Sequence, residues 1–385
     1  MQNAVLEQRE ENQKMKTAYK FRMYPNRQQE AVLDLTLETC RHLYSLALAD
    51  RKNAYEIEGI SRTYEDQATM LTAEKKNGNF KGVFSQVLQD VLRRLDKSFK
   101  AFFRRVNEGE EPGYPRFKGK GWYKSFTYHQ LGFKLEGSKL ILSKIGFIRI
   151  FKHRQVEGKV KTCTIKRDKL GHWCAILVSE IEDVPLVKPK TAIGVDVGLK
   201  NQVTTSSGET IQYPRYYVKA EQKLAVAQRG LSRKKKGSSN RRKAKVKVTR
   251  IHQRAKNLRD EYLHQVSRKL VDSTDLIVFE NLNIKGMVKN HHLAKHIQDH
   301  AWGKLIQFTT SKAAKAGKLA ELVDARYTSQ KCSKCGIMVP KTLADRTHLC
   351  PNCGLEMDRD INASINIVTL GLRGRACREI GQPTL

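Results

Sequence analysis

The chain has no apolar run of the ~18 residues that a membrane-spanning helix needs, and no short apolar core behind a basic start. Neither spanning nor secretion is expected. Acid is scarce too: 39 Asp and Glu stand against 72 Lys and Arg, a net charge of +33 over 385 residues. So large an excess says little about fold and much about partners. It points to a polyanion, a nucleic acid held by phosphate neutralisation and counterion release, with a basic membrane-surface protein as the competing reading. A disulfide framework is also absent. Of eight cysteines, Cys40, Cys163, Cys174 and Cys377 are scattered, which suits a reducing, cytoplasmic setting. The length exceeds what one core organises, so two to four domains are expected.

The other four cysteines mark the most informative stretch. Cys332/Cys335 and Cys350/Cys353 are Cys-x-x-Cys pairs, each followed by a glycine (Gly336, Gly354) that permits the tight turn of a zinc knuckle. Fourteen residues separate the pairs, slightly short for a four-cysteine zinc ribbon but within reach of a hairpin. Directly after them come Asp358-Arg359-Asp360 and an apolar period of Ile361, Ile365, Ile367 and Val368, which predicts a helix packed on a core. Taken alone, Asp360 reads equally well as the N-cap of that helix.

In chain order, residues 1–14 are polar and unpatterned, an expected disordered extension before a natural-looking start at Met15. A strand over Thr17–Met23 precedes helices over Gln28–Glu56, Tyr64–Lys75 and Val83–Val106. Leu33, Leu37, Cys40, Leu43, Tyr44 and Ala47 share one face of the first helix; Val87, Leu88, Val91, Leu95, Phe99 and Phe102 share one face of the third. Arg41, Arg51, Arg93, Arg94, Lys97, Arg104 and Arg105 fall on the polar faces, open to solvent or to nucleic acid. Residues 109–185 turn to Gly, Pro and short β-rich runs at Ser125–Tyr128, Lys139–Leu142, Phe147–Ile150, Lys159–Lys166 and Trp173–Glu180. That is the pattern of an antiparallel barrel, to which the first strand is expected to belong. Tyr114, Phe117, Trp122, Tyr123 and Phe126 lie among Arg116, Lys118 and Lys124, as they do where bases stack.

The second half opens with TAIGVDV over Thr191–Val197, a buried strand with Asp196 at its centre, and continues as a meander through Asn201–Thr205 and Glu209–Tyr213. Tyr216–Ser273 reads as a helical pair joined by a basic hinge. Between 215 and 269 stand 19 Lys and Arg against three acids, which nominates Arg233, Lys234, Lys235, Lys236, Arg241 and Arg242 as a phosphate-gripping arm. Leu276–Phe279 is a short, fully buried strand ending in Glu280, and a helix over Leu305–Ala316 and a strand over Leu319–Val323 lead to the cysteines. His291, His292, His296 and His300 fit a helix facing nucleic acid better than a metal site.

Carboxylates are costly to bury without a partner. One buried Asp is more often a satisfied structural residue. Three acids in the order strand, strand, helix (Asp196, Glu280, Asp360) are harder to dismiss. They match the layout of an RNase H-like core, in which facing acids hold two Mg²⁺ or Mn²⁺ ions for phosphodiester hydrolysis.

GVDVG at 194–198, FENLNIKGM at 279–287, the two knuckles and DRDINASINI at 358–367 resemble the transposon-encoded TnpB (OrfB-type) proteins, relatives of Cas12 nucleases. The likeness extends to YKFRMYPN at 19–26, LDKSFKAFFRR at 95–105 and GYPRFK at 113–118. It implies a multidomain α/β protein: a wedge-like β-barrel at 15–25 and 109–187, a helical recognition bundle inserted at 26–108, and a split RuvC (RNase H-like) core at 188–326 and 357–370. A zinc-binding, target-nucleic-acid-binding insert would occupy 327–356, with a tail at 371–385. The implied activity is RNA-guided cleavage of double-stranded DNA beside a short motif, with Asp196, Glu280 and Asp360 as the Mg²⁺-binding triad and zinc as a structural ion. Base pairing with the guide RNA would read the target and the protein would read the motif. Family segments nominate Gln89 and Thr127 as motif readers. The alternatives are an RNase H-fold transposase or resolvase, and a nuclease-inactive RNA-guided binder.

Overall fold

The structure, a computed structural model, describes residues 14–324, 326–342 and 345–379. The extension expected at 1–14, apart from Lys14, lies outside the described residues, as do residues 380–385 of the expected tail. Two compact units divide the chain, Met1–Asp183 and Val184–Leu385.

In the first unit β1 (Met15–Tyr24) leads into α1 (Arg27–Glu58), α2 (Tyr64–Lys76) and α3 (Ser85–Asn107). There follow β2 (Ser125–His129), β3 (Phe133–Glu136), β4 (Lys139–Leu142), β5 (Gly146–Phe151), β6 (Lys159–Arg167) and β7 (Trp173–Ile181). The strands form one antiparallel sheet in the order β2-β6-β7-β1-β5-β4-β3, curled into a near-closed barrel. β1 sits in the middle, paired with β7 and β5, so the first strand belongs to the barrel and the helices are inserted after it. Period-2 alternation buries Tyr19, Phe21 and Met23 with Leu140, Leu142, Ile148 and Ile150. A reciprocal capping box starts α1: Asn26 Oδ1 accepts from the Gln29 amide at 2.8 Å, and Gln29 Oε1 accepts from the Asn26 amide at 2.9 Å.

Three expectations for this unit need correction. β3 is not anticipated: its Phe133-Lys134-Leu135-Glu136 alternation is only four residues long, and Phe133 and Leu135 are only half-buried against the core. Arg51 does not lie on an open polar face. It is buried, donates from Nε to Gln67 Oε1 at 2.9 Å and sits 5.1 Å above the Phe99 ring, so it ties α1 to α2 and α3 from inside. Among the expected stacking aromatics, Trp122 and Phe117 are exposed, but Phe126 belongs to the core.

The second unit begins with β8 (Ala192–Asp196), β9 (Val203–Thr205) and β10 (Thr210–Ile211), then α4 (Tyr216–Ser232) and α5 (Ser239–Ser273). After these come β11 (Leu276–Glu280), α6 (Ile284–Met287), α7 (His291–His300), α8 (Trp302–Lys315) and β12 (Leu319–Val323). The hairpin β13 (Thr347–Leu349) and β14 (Glu356–Asp358) precedes α9 (Arg359–Glu379). The main sheet runs β10-β9-β8-β11-β12; β8, β9 and β10 are an antiparallel meander, while β11 is parallel to both β8 and β12. Helices cover both faces. Ile193, Val195, Ile277 and Phe279 pack with Leu263, Val266, Leu270, Trp302 and Leu305 of α5 and α8; Leu276 and Val278 pack on Ile367 of α9. Such two-sided burial explains why β11 reads as an unbroken apolar run. Among the described residues no helix is long and apolar enough to cross a membrane.

α9 lies unusually close to the sheet. A Cβ on Gly194 would sit 1.9 Å from the Ser364 carbonyl oxygen, and one on Gly371 would sit 2.6 Å from Val278 Cγ2. The helix therefore buries small and polar residues (Asn362, Ala363, Ser364, Asn366) beside Ile367, whereas Ile361 and Ile365 are only half-buried, which corrects the apolar period expected there. It also runs on to Glu379, so most of the tail expected at 371–385 is helix.

Gly194→Ala is expected to destabilise the chain by about 3 kcal/mol in denaturant titrations, because strand and helix backbones cannot both yield. Gly230→Ala, in an open position on α4, is expected to stabilise it by roughly 0.5–1 kcal/mol.

Candidate active site and metal centre

Asp196 is the last residue of β8, not its centre as expected from the sequence, and Glu280 is the last of β11. The two strands are parallel neighbours with Val195 opposite Phe279, so both acids stand at carboxyl ends, where open α/β sheets bind ligands. Alternation fixes where they point. Val195 and Phe279 enter the core beneath α5 and α8, so Asp196 and Glu280 turn to the opposite face, beneath α9.

Asp360 occupies the first turn of α9. The cap role falls to Asp358, whose Oδ1 accepts from the Asp360 amide at 2.8 Å and the Ile361 amide at 3.3 Å. Asp360 is left free for other work, with its Oδ1 accepting from Arg359 Nη2 at 3.0 Å and Nε at 3.1 Å. Burial holds the Asp196 carboxyl well above its ordinary pKa, and the charges of Glu280 and Asp360 push it further, against Arg359. Glu280, 7% exposed, is also raised by burial and by Asp360, while the Thr328 hydroxyl, which donates to its Oε1, pulls the other way. Two buried carboxylates raised by a third acid beside them are what a hard, multivalent cation would relieve.

The cysteines form a second centre. Cys332, Cys335, Cys350 and Cys353 are, among the described residues, a set of ligand atoms all within 4.8 Å of one another. Cys332 Sγ lies 3.6 Å from Cys353 Sγ, and Cys335 Sγ lies 3.5 Å from Cys350 Sγ. These distances are far too long for a disulfide and near the ~3.8 Å edge of a tetrahedron with 2.3 Å zinc–sulfur bonds. The knuckles repeat one geometry. Gly336 and Gly354, at φ +79° and +69°, donate to the carbonyls of Cys332 and Cys350 at 2.9 and 3.0 Å. Hydrogen bonds from the Ile337 amide, then from Asn352 and the neighbouring cysteines, lower the Cys335 thiol to about 6, while Cys353 in the same cluster is pushed up to about 12 by its hydrogen bonds to the other cysteines. The cluster is consistent with structural zinc.

The other nominated residues divide. Gln89 is half-buried on the wall of a polar cavity of about 320 Å³ with Gln86, Arg93, His129, Gln130 and Lys161. Thr127 is buried, and its hydroxyl accepts from Arg94 Nη2 at 2.7 Å and lies 2.8 Å from Thr164 Oγ1. Arg94 also pairs with Asp90 at 2.7 Å, so it too is an inner clamp and not an open cation. In the hinge, Arg233, Lys234, Lys235, Lys236 and Arg242 are exposed, whereas Arg241 donates to the carbonyls of Leu231 and Lys234, each at 2.9 Å, and closes the turn. His300 is interior, with Nδ1 2.8 Å from Gln202 Oε1.

Sequence reading missed Thr328, Arg359, Asn362 and Asn366, which touch the acids, the first knuckle or the short segment between them. The spacing of the two asparagines, one helical turn apart and just after Asp360, was the available signal.

Comparison with known proteins bears on this geometry. Residues 175–291 match the OrfB_IS605 family ("Probable transposase"), and residues 302–367 match the Cas12f1-like TNB domain. Residues 15–59 match a helix-turn-helix domain of the OrfB_IS605 type, although they form a strand and one continuous helix here. A Streptomyces pristinaespiralis protein assigned as an RNA-guided DNA endonuclease is 34% identical over 95% of this chain and 92% of its own. InsQ of Escherichia coli (strain K12), assigned the same activity, is 32% identical over 95% and 94%. The solved Cas12f1–sgRNA–target DNA complex matches 89% of this chain and 83% of its own with a TM-score of 0.57 at 13% identity, a likeness of fold. With a third of its positions shared along nearly the whole of such relatives, the chain belongs to the transposon-associated TnpB (OrfB, IS605-type) family of RNA-guided DNA endonucleases.

Proposed function

We propose that Asp196, Glu280 and Asp360 are the catalytic acids, and that they hold a pair of Mg²⁺ or Mn²⁺ ions for hydrolysis of double-stranded DNA selected by a bound guide RNA. One observation carries this reading: two acids at the ends of adjacent parallel strands face the helix that bears the third, and the charge of Asp360 raises the pKa of both. An all-oxygen donor set suits hard cations rather than zinc. When bound, such ions supply a water acidic enough to attack phosphorus at neutral pH and charge to stabilise the leaving oxygen. The chain's own residues do the rest. Thr328 orients one Glu280 oxygen, Asp358 caps α9 so that the Asp360 side chain is not consumed, and Arg359 offsets part of the negative charge.

The meander with two parallel strands supports an RNase H-like (RuvC) core over 188–326 and 357–370, interrupted by the cysteine module at 327–356. The barrel with its helical insertion supports a wedge at 15–25 and 109–187 and a recognition bundle at 26–108. Guide RNA and target duplex are the polyanions that the +33 charge would bind, with the exposed hinge cations among the phosphate contacts. Of the two proposed motif readers, Gln89 is the more accessible, because Arg94 and Thr164 already engage Thr127.

Asp196→Ala is expected to cut double-stranded target about 10⁴-fold more slowly or worse, while guide RNA still binds; normal cleavage would remove the acids from the chemistry. Cys350→Ser is expected to abolish zinc binding, measured as metal per chain, and to unfold the module; normal cleavage by a zinc-free chain would show that the cluster is not structural.

A further inference from the structure

On α9, Asn362 and Asn366 lie one turn apart on the buried face, 0% and 9% exposed, where apolar residues ordinarily stand. Their amides are satisfied by one short segment. Asn366 Nδ2 donates to the Thr328 carbonyl at 2.8 Å and to the Lys331 carbonyl at 2.7 Å. Asn362 Nδ2 donates to the Lys331 carbonyl at 2.8 Å, and its Oδ1 accepts from the Ser333 amide at 3.0 Å. At one end of this segment is Thr328, 5% exposed, whose hydroxyl donates to Glu280. At the other end are Cys332, a sulfur of the metal cluster, and Ser333 in the turn of the first knuckle. The helix that grips the segment is the one that carries Asp360. Buried amides left unpaired would cost more than they contribute, so four bonds to one segment hold it in a single register.

We propose that Asn362 and Asn366 are positioning residues for the acidic centre: they lock Thr328, and through it Glu280, against Asp360, and make the first knuckle a brace of the cutting site. This rests on the reading of the three acids as the catalytic centre. The brace has two anchors, the asparagines on one side and the cysteine cluster on the other. The second knuckle is joined to the same helix more directly, through β14 and the Asp358 cap. Both halves of the cysteine module thus terminate on α9, and its role extends beyond holding nucleic acid.

The test uses the full chain purified with its RNA and a DNA duplex matching that RNA, and compares Thr328→Val and Asn366→Ala with the unchanged protein. Both variants are expected to hold one zinc and to bind RNA and duplex normally. Their single-turnover cleavage, and the binding of Mn²⁺ alone to the RNA-free chain followed by EPR, should each weaken by about 10–100-fold. The double variant should lose little beyond the worse single one, as expected for groups acting through one contact. Wild-type cleavage with wild-type Mn²⁺ binding in both variants would overturn the proposal. Loss of zinc or of RNA binding in both would also overturn it, since that marks a folding role. Asp196→Ala keeps the two failures apart: if it cuts normally, the acidic centre itself is misassigned, whereas a dead Asp196→Ala beside normal Thr328→Val and Asn366→Ala sinks the brace alone.

Discussion

The close seat of α9 on β8, with the Ser364 carbonyl in the space a Gly194 side chain would need, brings Asp360 to the ends of β8 and β11. Glycine at 194 and small or polar residues along the facing side of the helix make that approach possible. Its electrostatic cost is considerable. Burial raises the pKa of both Asp196 and Glu280, and the charge of Asp360 raises both further. Thr328, Arg359 and the Val197 backbone offset part of that cost, and a bound cation, as proposed above, would offset more.

Two ligand sets of different hardness stand in one unit. Sulfur at near-tetrahedral spacing suits zinc; oxygen at the strand ends suits magnesium or manganese. The module that carries the sulfurs lies between β12 and α9, and its second hairpin strand, β14, ends at Asp358, next to the first residue of the acidic helix. That continuity would give a structural ion leverage over a site it does not join chemically.

Much of this was legible beforehand because the signals were local. The knuckles announce themselves by Cys-x-x-Cys-Gly, β11 by four consecutive apolar residues, and α1 and α3 by faces of Leu and Val at helical spacing. What escaped reading depends on contacts distant in sequence. Arg51 looked like a surface cation until Gln67 and Phe99 closed over it, and Thr127 looked like a strand-surface hydroxyl until Arg94 reached it from α3. β3 has no buried residue to reveal it, and Asn362 and Asn366 break the apolar period that the eye follows. Asp196 fell at the end of its strand because β8 stops there, ahead of Val197 and Gly198, and a strand terminus is where a carboxylate can meet a ligand.

The central claim is that the three acids ligate the ions of the cutting step directly. Replacing one ligand oxygen with sulfur tests it: Asp196→Cys should cleave target poorly in Mg²⁺ and recover in part when thiophilic Mn²⁺ or Cd²⁺ is supplied, since hard cations shun thiolates and softer ones accept them. Cleavage by Asp196→Cys in Mg²⁺ alone at the rate of the unchanged chain would contradict it.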